Sequence, residues 1–400
     1  MLDALRWLAL IPLLPLAAYL SVVCGYLGVL GLGAWLFRPR KRAVDAWPRF
    51  ALLIPAHNES WQIADILNAA RAMDYPADRM QVIVIADNCS DDTAAIAAER
   101  GAMVLERSDP ENPGKGHALD WCLKSQEALL RGFDHIALVD ADMIIHPGFL
   151  RELAESLAHP ECQVVQSLNT VSNPQETWRT AFGYMGFTTI NFVRPAGREW
   201  LGGTAELKGS GMAFRAPLLL EYGWPCNSLA EDVEFSKRLL MDGVLVRFNP
   251  AALVTSPIPV QAAQADVQQR RWEGGKVHIV KTYLRPLLDH AARKPSAAAI
   301  DAILDLMVPP QSVLFLLLAA GMVLAALAGP AWLALLAACA AAAAFCITTG
   351  LVLQRAPLQV WLYLAALPLF LAWKIPLYLK LLAQKGEHAW QRTPRDNEVE

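Results

Sequence analysis

Two long apolar stretches bracket this chain and dictate most of what it can become. The first runs from Leu5 to Phe37, interrupted by Arg6 and small polar residues, and stops against the basic cluster Arg38–Arg42. At roughly 20 residues per crossing it supplies one membrane span and is too short for two. It is also too long for the hydrophobic stretch of a cleavable signal, and residues 1–6 carry little positive charge. The cationic cluster predicts that residue 38 onward is cytoplasmic. The second stretch begins near Ile303 and divides into blocks at 303–328, 331–353 and 357–382, parted by the turn signals Ala328–Ala331 and Gln354–Pro357. Pro368, Lys374 and Pro376 interrupt the last block, which predicts an interfacial or broken re-entrant segment rather than a plain crossing. One span before and three after would put the basic tail 385–395 outside, against the usual charge rule.

Composition supports a membrane protein: 54% of the 400 residues are hydrophobic and 18% charged. A net charge of −3 gives no global reason for a nucleic-acid partner, and none is expected. The seven cysteines are odd in number and form no CxxC pair, so they signal neither a disulfide framework nor zinc.

Between the apolar ends, residues 50 to about 290 alternate short Val/Ile/Leu runs with helical patterns, which predicts an α/β domain on a largely parallel sheet. The clearest strands are 50–54, 81–86 and 135–140; helices are expected over 58–71, with Asn58 as its cap, 91–100 and 117–131. Ligands in such sheets sit beyond the carboxyl ends of the strands, so the polar residues there are the candidates.

Each candidate has a plain structural alternative. Glu59 after the first strand reads as an acceptor for a nucleobase or as a first-turn helix acid. Asp87 ends the second strand and suits a base or ribose, or an Asx turn. Lys115, flanked by glycines at a helix start, can meet an anion, although the spacing is not that of a Walker motif. Asp140 and Asp142 end the third strand two positions apart, where strand alternation aims both at one side; hard oxygen donors so placed suit Mg²⁺ or Mn²⁺ with substrate phosphates. Glu231 and Asp232 open a helix, either as dipole-stabilising acids or as a general base near an acceptor hydroxyl. The glycine-rich stretch 202–215 ahead of them reads as a backbone wall close to a ligand. Gln268, Arg271 and Trp272 fall at i, i+3 and i+4, sharing one helix face with a phosphate-pairing guanidinium and a flat indole. Their alternative is an interfacial anchor.

In this order, Asp87, Asp140-Ala141-Asp142, Glu231-Asp232 and Gln268-x-x-Arg271-Trp272 resemble the D, DxD, ED, QxxRW set of membrane-bound family 2 glycosyltransferases. The branch resembled is the one holding cellulose, chitin, hyaluronan and poly-N-acetylglucosamine synthases. The resemblance implies a GT-A-like cytoplasmic domain over 45–295 ending in an interfacial QxxRW helix. A transmembrane helix over 1–40, transmembrane or interfacial helices over 300–384 and a cytoplasmic tail over 385–400 complete the implied layout, in the inner membrane. It further implies that Asp87, Glu59 and Lys115 hold the uridine of a UDP-sugar, that Asp140 supports the nucleotide, and that Asp142 binds Mg²⁺ or Mn²⁺. Asp232 would be the base, with Glu231 beside it, and Gln268, Arg271 and Trp272 would line the acceptor and diphosphate side.

The activity so implied is inverting sugar transfer to a growing polysaccharide or saccharide acceptor in envelope glycan synthesis. Single-sugar transfer to a lipid or lipid-linked acceptor is the alternative; a noncatalytic nucleotide-sugar-binding scaffold is a third reading from another class. Ala230 stands where the family often has Thr. The membrane part is small for a polymer synthase, which argues against a wide self-made channel and makes export or assembly proteins candidate partners alongside membrane lipids.

Overall fold

The structure is a computed structural model that describes residues 2–383 apart from 227, 229 and 261, with side chains described outside 2–6, 262–273 and 377–383. The chain forms two compact units, each assembled from separated segments.

One unit, residues 38–172 and 204–257, is built on an eight-stranded mixed sheet. Its strands are β1 (Phe50–Ala56), β2 (Met80–Asp87), β3 (Met103–Arg107), β4 (His135–Leu138), β5 (Ile144–Ile145), β6 (Val164–Val171), β7 (Met212–Arg215) and β8 (Val246–Ser256). The order is β3-β2-β1-β4-β7-β6-β8-β5. Strands β2, β1 and β4 are parallel, as the Val/Ile/Leu runs predict, with β3 added parallel at the edge, while β7 runs antiparallel to both β4 and β6. Leu52 and Ile54 of β1 and Val84 of β2 are sealed against Ile63, Ile66 and Leu67 of one helix and Phe149, Leu150 and Leu153 of another. Burial on both faces explains why these strands lack polar alternation.

Two local expectations change. The first helix spans Ile63–Arg71, and Asn58 does not cap it but adopts a left-handed backbone, φ 55°, in the turn after β1. The third strand stops at Leu138, two residues short of Asp140. Ala141 and Asp142 therefore lie in a turn closed by the Met143 N–H donating to the Asp140 carbonyl, so strand alternation does not aim the two carboxylates.

The other unit, residues 1–37, 173–203 and 258–400, is helical. Residues 173–203, expected inside the soluble domain, pack instead with the apolar helices. Among the described residues, four helices are long and apolar enough to cross a membrane: Trp7–Leu36, Gln311–Ala328, Pro330–Leu353 and Leu358–Pro376. The expected block 303–328 is broken at Val308, extended ahead of two prolines, so Ala297–Met307 forms a separate helix. The last block is interrupted by a 3₁₀ turn at Tyr363–Ala366. Residues 385–400, expected as a cytoplasmic tail, lie outside the described residues.

Small residues let the helices of this unit approach backbone to backbone. A Cβ on Gly197, in the helix Arg194–Trp200, would lie 2.4 Å from the Leu30 carbonyl oxygen. Beside this crossing, Arg198 donates to Asp301 at 2.8 Å, Arg194 donates to Asp305, and the Tyr26 hydroxyl donates to Asp301 at 2.7 Å.

Candidate active site

The carboxyl ends of β1 and β2 carry the first cluster. The left-handed turn at Asn58 brings the Glu59 N–H onto Thr93 Oγ1 at 2.8 Å, and Gln62 donates to the buried Glu59 carboxylate at 2.7 Å. Asp87 ends β2 directly opposite Arg107, which ends β3. Arg107 donates to Asp87 at 2.5 Å and to Asp109 at 2.8 Å, and Asn88 also donates to Asp87, at 3.1 Å. Arg107 was missed by the sequence reading; its signal was a cation two positions after the short apolar run Met103–Leu105. A cavity of about 460 Å³ borders Arg107, with Asp109, Asn112, His117 and Trp121 in its wall.

The second cluster joins three chain segments. Lys115 opens the helix Lys115–Ser125 after Gly114, whose φ of 116° only glycine adopts freely. Its ammonium donates to both the Asp140 carboxylate and the Gly209 carbonyl, tying the DxD turn to the glycine-rich loop. Glu231 and Asp232 open the helix Glu231–Met241 next to this bridge. Burial, the strongest influence, raises Glu231 to about 8; Lys115 opposes it, and Asp232 and Asp140 reinforce it. Burial likewise raises Asp232, against the Val233 N–H and the Lys115 and Lys208 ammonium groups, which favour its charged form. For Lys115, burial lowers the pKa, but Asp140, Glu231 and Asp232 outweigh it and hold the amine above its ordinary value.

The loop is held from below. Gln166 of β6 accepts from the Lys208 N–H at 2.9 Å and donates to the Ser210 carbonyl at 2.8 Å, while the Ser210 hydroxyl accepts from the Asp140 N–H at 3.0 Å. On the helix carrying Asp232, Phe235 packs between Phe214 of β7 and Trp224, at ring separations of 6.0 and 5.0 Å. Such packing fixes the helix start to the sheet, which positions the acids.

Of the expected residues, Lys115, Asp140, Glu231 and Asp232 thus converge, and Glu59 and Asp87 stand at the neighbouring strand ends. Asp142 is exposed at the tip of its turn. Gln268, Arg271 and Trp272 fall on the helix Ala262–Arg293, but their side chains lie outside the described residues. Among the described residues no group of three or more His, Cys, Asp or Glu could enclose a metal. Two carboxylates on one turn nonetheless fit a hard cation that takes its remaining oxygens from phosphate and water.

A mixed sheet with acidic residues at its strand ends, a DxD turn and an acid pair at a helix start is the arrangement of a GT-A-like fold. Residues 48–275 match the family described as glycosyltransferase like family 2, and the chain belongs to it.

Among curated relatives, a beta-monoglucosyldiacylglycerol synthase of Trichormus variabilis is 31% identical over 62% of this chain and 54% of its own. A poly-beta-1,6-N-acetyl-D-glucosamine synthase of Staphylococcus aureus is 24% identical over 60% of this chain and 58% of its own. The chain thus spans little more than half the length of these relatives. Among solved structures, the mannosyltransferase PcManGT of Pyrobaculum calidifontis, in complex with GDP-Man and Mn²⁺, aligns with a TM-score of 0.51. It is 20% identical, with 84% of this chain and 98% of that one covered, and the likeness is one of fold.

Proposed function

We propose that this chain is an inverting, UDP-sugar-dependent glycosyltransferase at the cytoplasmic face of the inner membrane, passing a sugar to a lipid or lipid-linked acceptor. The observation that carries it is the Glu231–Asp232 pair set beside the Lys115 bridge between the DxD turn and the glycine-rich loop. Asp232 takes the proton of the acceptor hydroxyl as the new bond to the anomeric carbon forms and the bond to the diphosphate oxygen breaks. A pKa raised towards the working pH suits a base, because it strengthens proton affinity without emptying the charged form. Glu231, near 8, is largely protonated at neutral pH, so it adds little negative charge beside Asp232.

Glu59 and Asp87, the latter oriented by Arg107, stand at the uridine end, and Lys115 and Asp140 hold the nucleotide. Mg²⁺ or Mn²⁺ held by Asp142, with Asp140 beside it, would neutralise charge on the departing diphosphate. Arg271, with Gln268 and Trp272, is assigned to the acceptor and leaving-group side on sequence grounds.

The lipid acceptor is favoured by the 31% identity to the diacylglycerol glucoside synthase. Growth of a saccharide chain is the second reading, favoured by the poly-N-acetylglucosamine synthase relative. Membranes containing the protein, fed labelled UDP-glucose or UDP-N-acetylglucosamine, decide between them: a single glycolipid supports the first, and a ladder of products overturns it. No transfer from any UDP-sugar in a wider panel would sink both.

A further inference from the structure

Strand β6 carries a glutamine that the sheet itself does not need. Gln166 is fully buried among Val164, Val165 and Leu168, and it sits in register with Met212 of β7 and Phe248 of β8. Any apolar residue would serve that pairing. Val165 belongs to the apolar core, so strand alternation puts the Gln166 side chain on the opposite face, under the glycine-rich loop. There both ends of its carboxamide are engaged. Oε1 accepts from the Lys208 N–H at 2.9 Å, while Nε2 donates to the Ser210 carbonyl at 2.8 Å and to the Ser167 carbonyl at 2.9 Å. A donor on one side and two carbonyls on the other fix which way the amide points. A side chain of this length that both accepts and donates without charge is glutamine.

The two loop bonds fall on either side of Gly209. The ends of the loop are set by main-chain bonds: the Ala205 N–H donates to the Val246 carbonyl at 2.8 Å, and the Ser167 N–H to the Gly211 carbonyl at 2.9 Å. Lys208 and Ser210 lie between these points, ahead of the first residue of β7, and the carboxamide does for their main chain what a neighbouring strand would.

Gly209 is where the loop meets the site. With φ 81°, it passes so near the acid pair that a Cβ built on it would stand 3.5 Å from Asp232 Oδ2. Its carbonyl accepts from the Lys115 ammonium, and the next residue, Ser210, accepts through Oγ from the Asp140 N–H at 3.0 Å. A clamp on 208 and 210 therefore sets two contacts together, one to Lys115 and one to the DxD turn.

We propose that Gln166 is a positioning residue for the donor diphosphate: it holds the Gly209 carbonyl against Lys115 and the Ser210 hydroxyl against Asp140. The ammonium and the DxD turn then meet the diphosphate already oriented. The proposal rests on Lys115 and Asp140 being the residues that hold the nucleotide. Gln166 acts through the loop, from beneath it. The uridine end, assigned to Glu59 and Asp87, is built on other strands and should not feel its loss.

The test uses the full chain in lipid nanodiscs, as wild type, Gln166→Leu, Gln166→Glu and Lys115→Met. Uridine binding is read by saturation-transfer NMR, and binding of UDP with Mn²⁺ by calorimetry. Gln166→Leu keeps most of the side-chain bulk and removes its bonds, so UDP with Mn²⁺ should bind about tenfold more weakly and uridine within about twofold of wild type. A merely structural role would weaken both ligands alike or leave both unchanged, and either result overturns the proposal. If Gln166→Leu does not fold, Gln166→Glu decides. Its neutral carboxyl keeps an acceptor and one donor, whereas its ionised form turns a bare oxygen toward the Ser210 carbonyl. Its deficit for UDP with Mn²⁺, relative to wild type, should therefore grow from about pH 5.5 to 8.5 while uridine binding follows wild type. No deficit, or one that does not change with pH, overturns the proposal. Wild-type affinity for UDP with Mn²⁺ in Lys115→Met would instead sink the assignment of Lys115 to the nucleotide, so the two failures are distinct.

Discussion

Arg107 and Asp87 face each other across β2 and β3 as an ion pair of 2.5 Å, with side chains only 5% and 6% exposed. The Asp87 carboxylate, which the proposed function sets at the nucleoside, is therefore oriented by a cation from the adjacent strand. Removing one member of a buried pair strands the other charge, at about 3–5 kcal/mol. Arg107→Ala should lower stability by that order and raise donor KM, whereas the double variant Arg107→Ala/Asp87→Ala should recover much of the stability but not the KM. Denaturation of both variants, with donor kinetics, checks this; equal losses in the two would contradict the orientation role.

Glu231 makes the protein's stability depend on pH. A carboxyl raised to about 8 in the folded state binds its proton more tightly than it does unfolded. Its contribution is fully present below the unfolded value and is lost as pH rises through the folded one. The wild-type melting temperature should therefore fall between about pH 5 and 9, and Glu231→Gln should flatten the fall. Thermal melting of both forms across that range reads the difference; parallel curves would refute it.

Asp142 should govern metal dependence. Asp142 is exposed on a turn, so Asp142→Ala should lower stability by no more than about 1 kcal/mol. Turnover should nevertheless fall by two orders of magnitude or more, as it should in the wild type after chelation, with Mn²⁺ or Mg²⁺ restoring only the wild type. Undiminished turnover by metal-stripped protein would remove Asp142 from the site.

Gly197→Ala probes the helical unit. The added Cβ would collide with the Leu30 backbone at 2.4 Å, where no rotamer change offers relief. A loss of about 1–3 kcal/mol, or more, follows from overpacking. Detergent-solubilised protein should melt earlier, while Gly114→Ala, with open space around its Cβ but φ 116°, should suffer from backbone strain alone.

The sheet and the acids at its strand ends were legible because buried parallel strands write themselves as unbroken Val/Ile/Leu runs. The DxD geometry was not, because Val139 continues the apolar pattern beyond Leu138, the last residue of β4. Arg107 escaped because its partner lies 20 residues away and meets it only through strand register. The excursion at 173–203 carries ordinary helical sequence, and the ion pairs that tie it to the apolar helices use Asp301 and Asp305, far downstream.

That last pairing sets an order of events during synthesis. Arg198 emerges 103 residues before Asp301, and Arg194 emerges 111 residues before Asp305. At about 5–20 residues per second, the arginines wait roughly 5–20 s for their counter-charges. Strands β7 and β8 are made during that wait, so the sheet has all its strands before the excursion can be neutralised. A ribosome stalled before residue 301 would thus hold a chain with a complete sheet and two arginines that the apolar helices cannot yet accept.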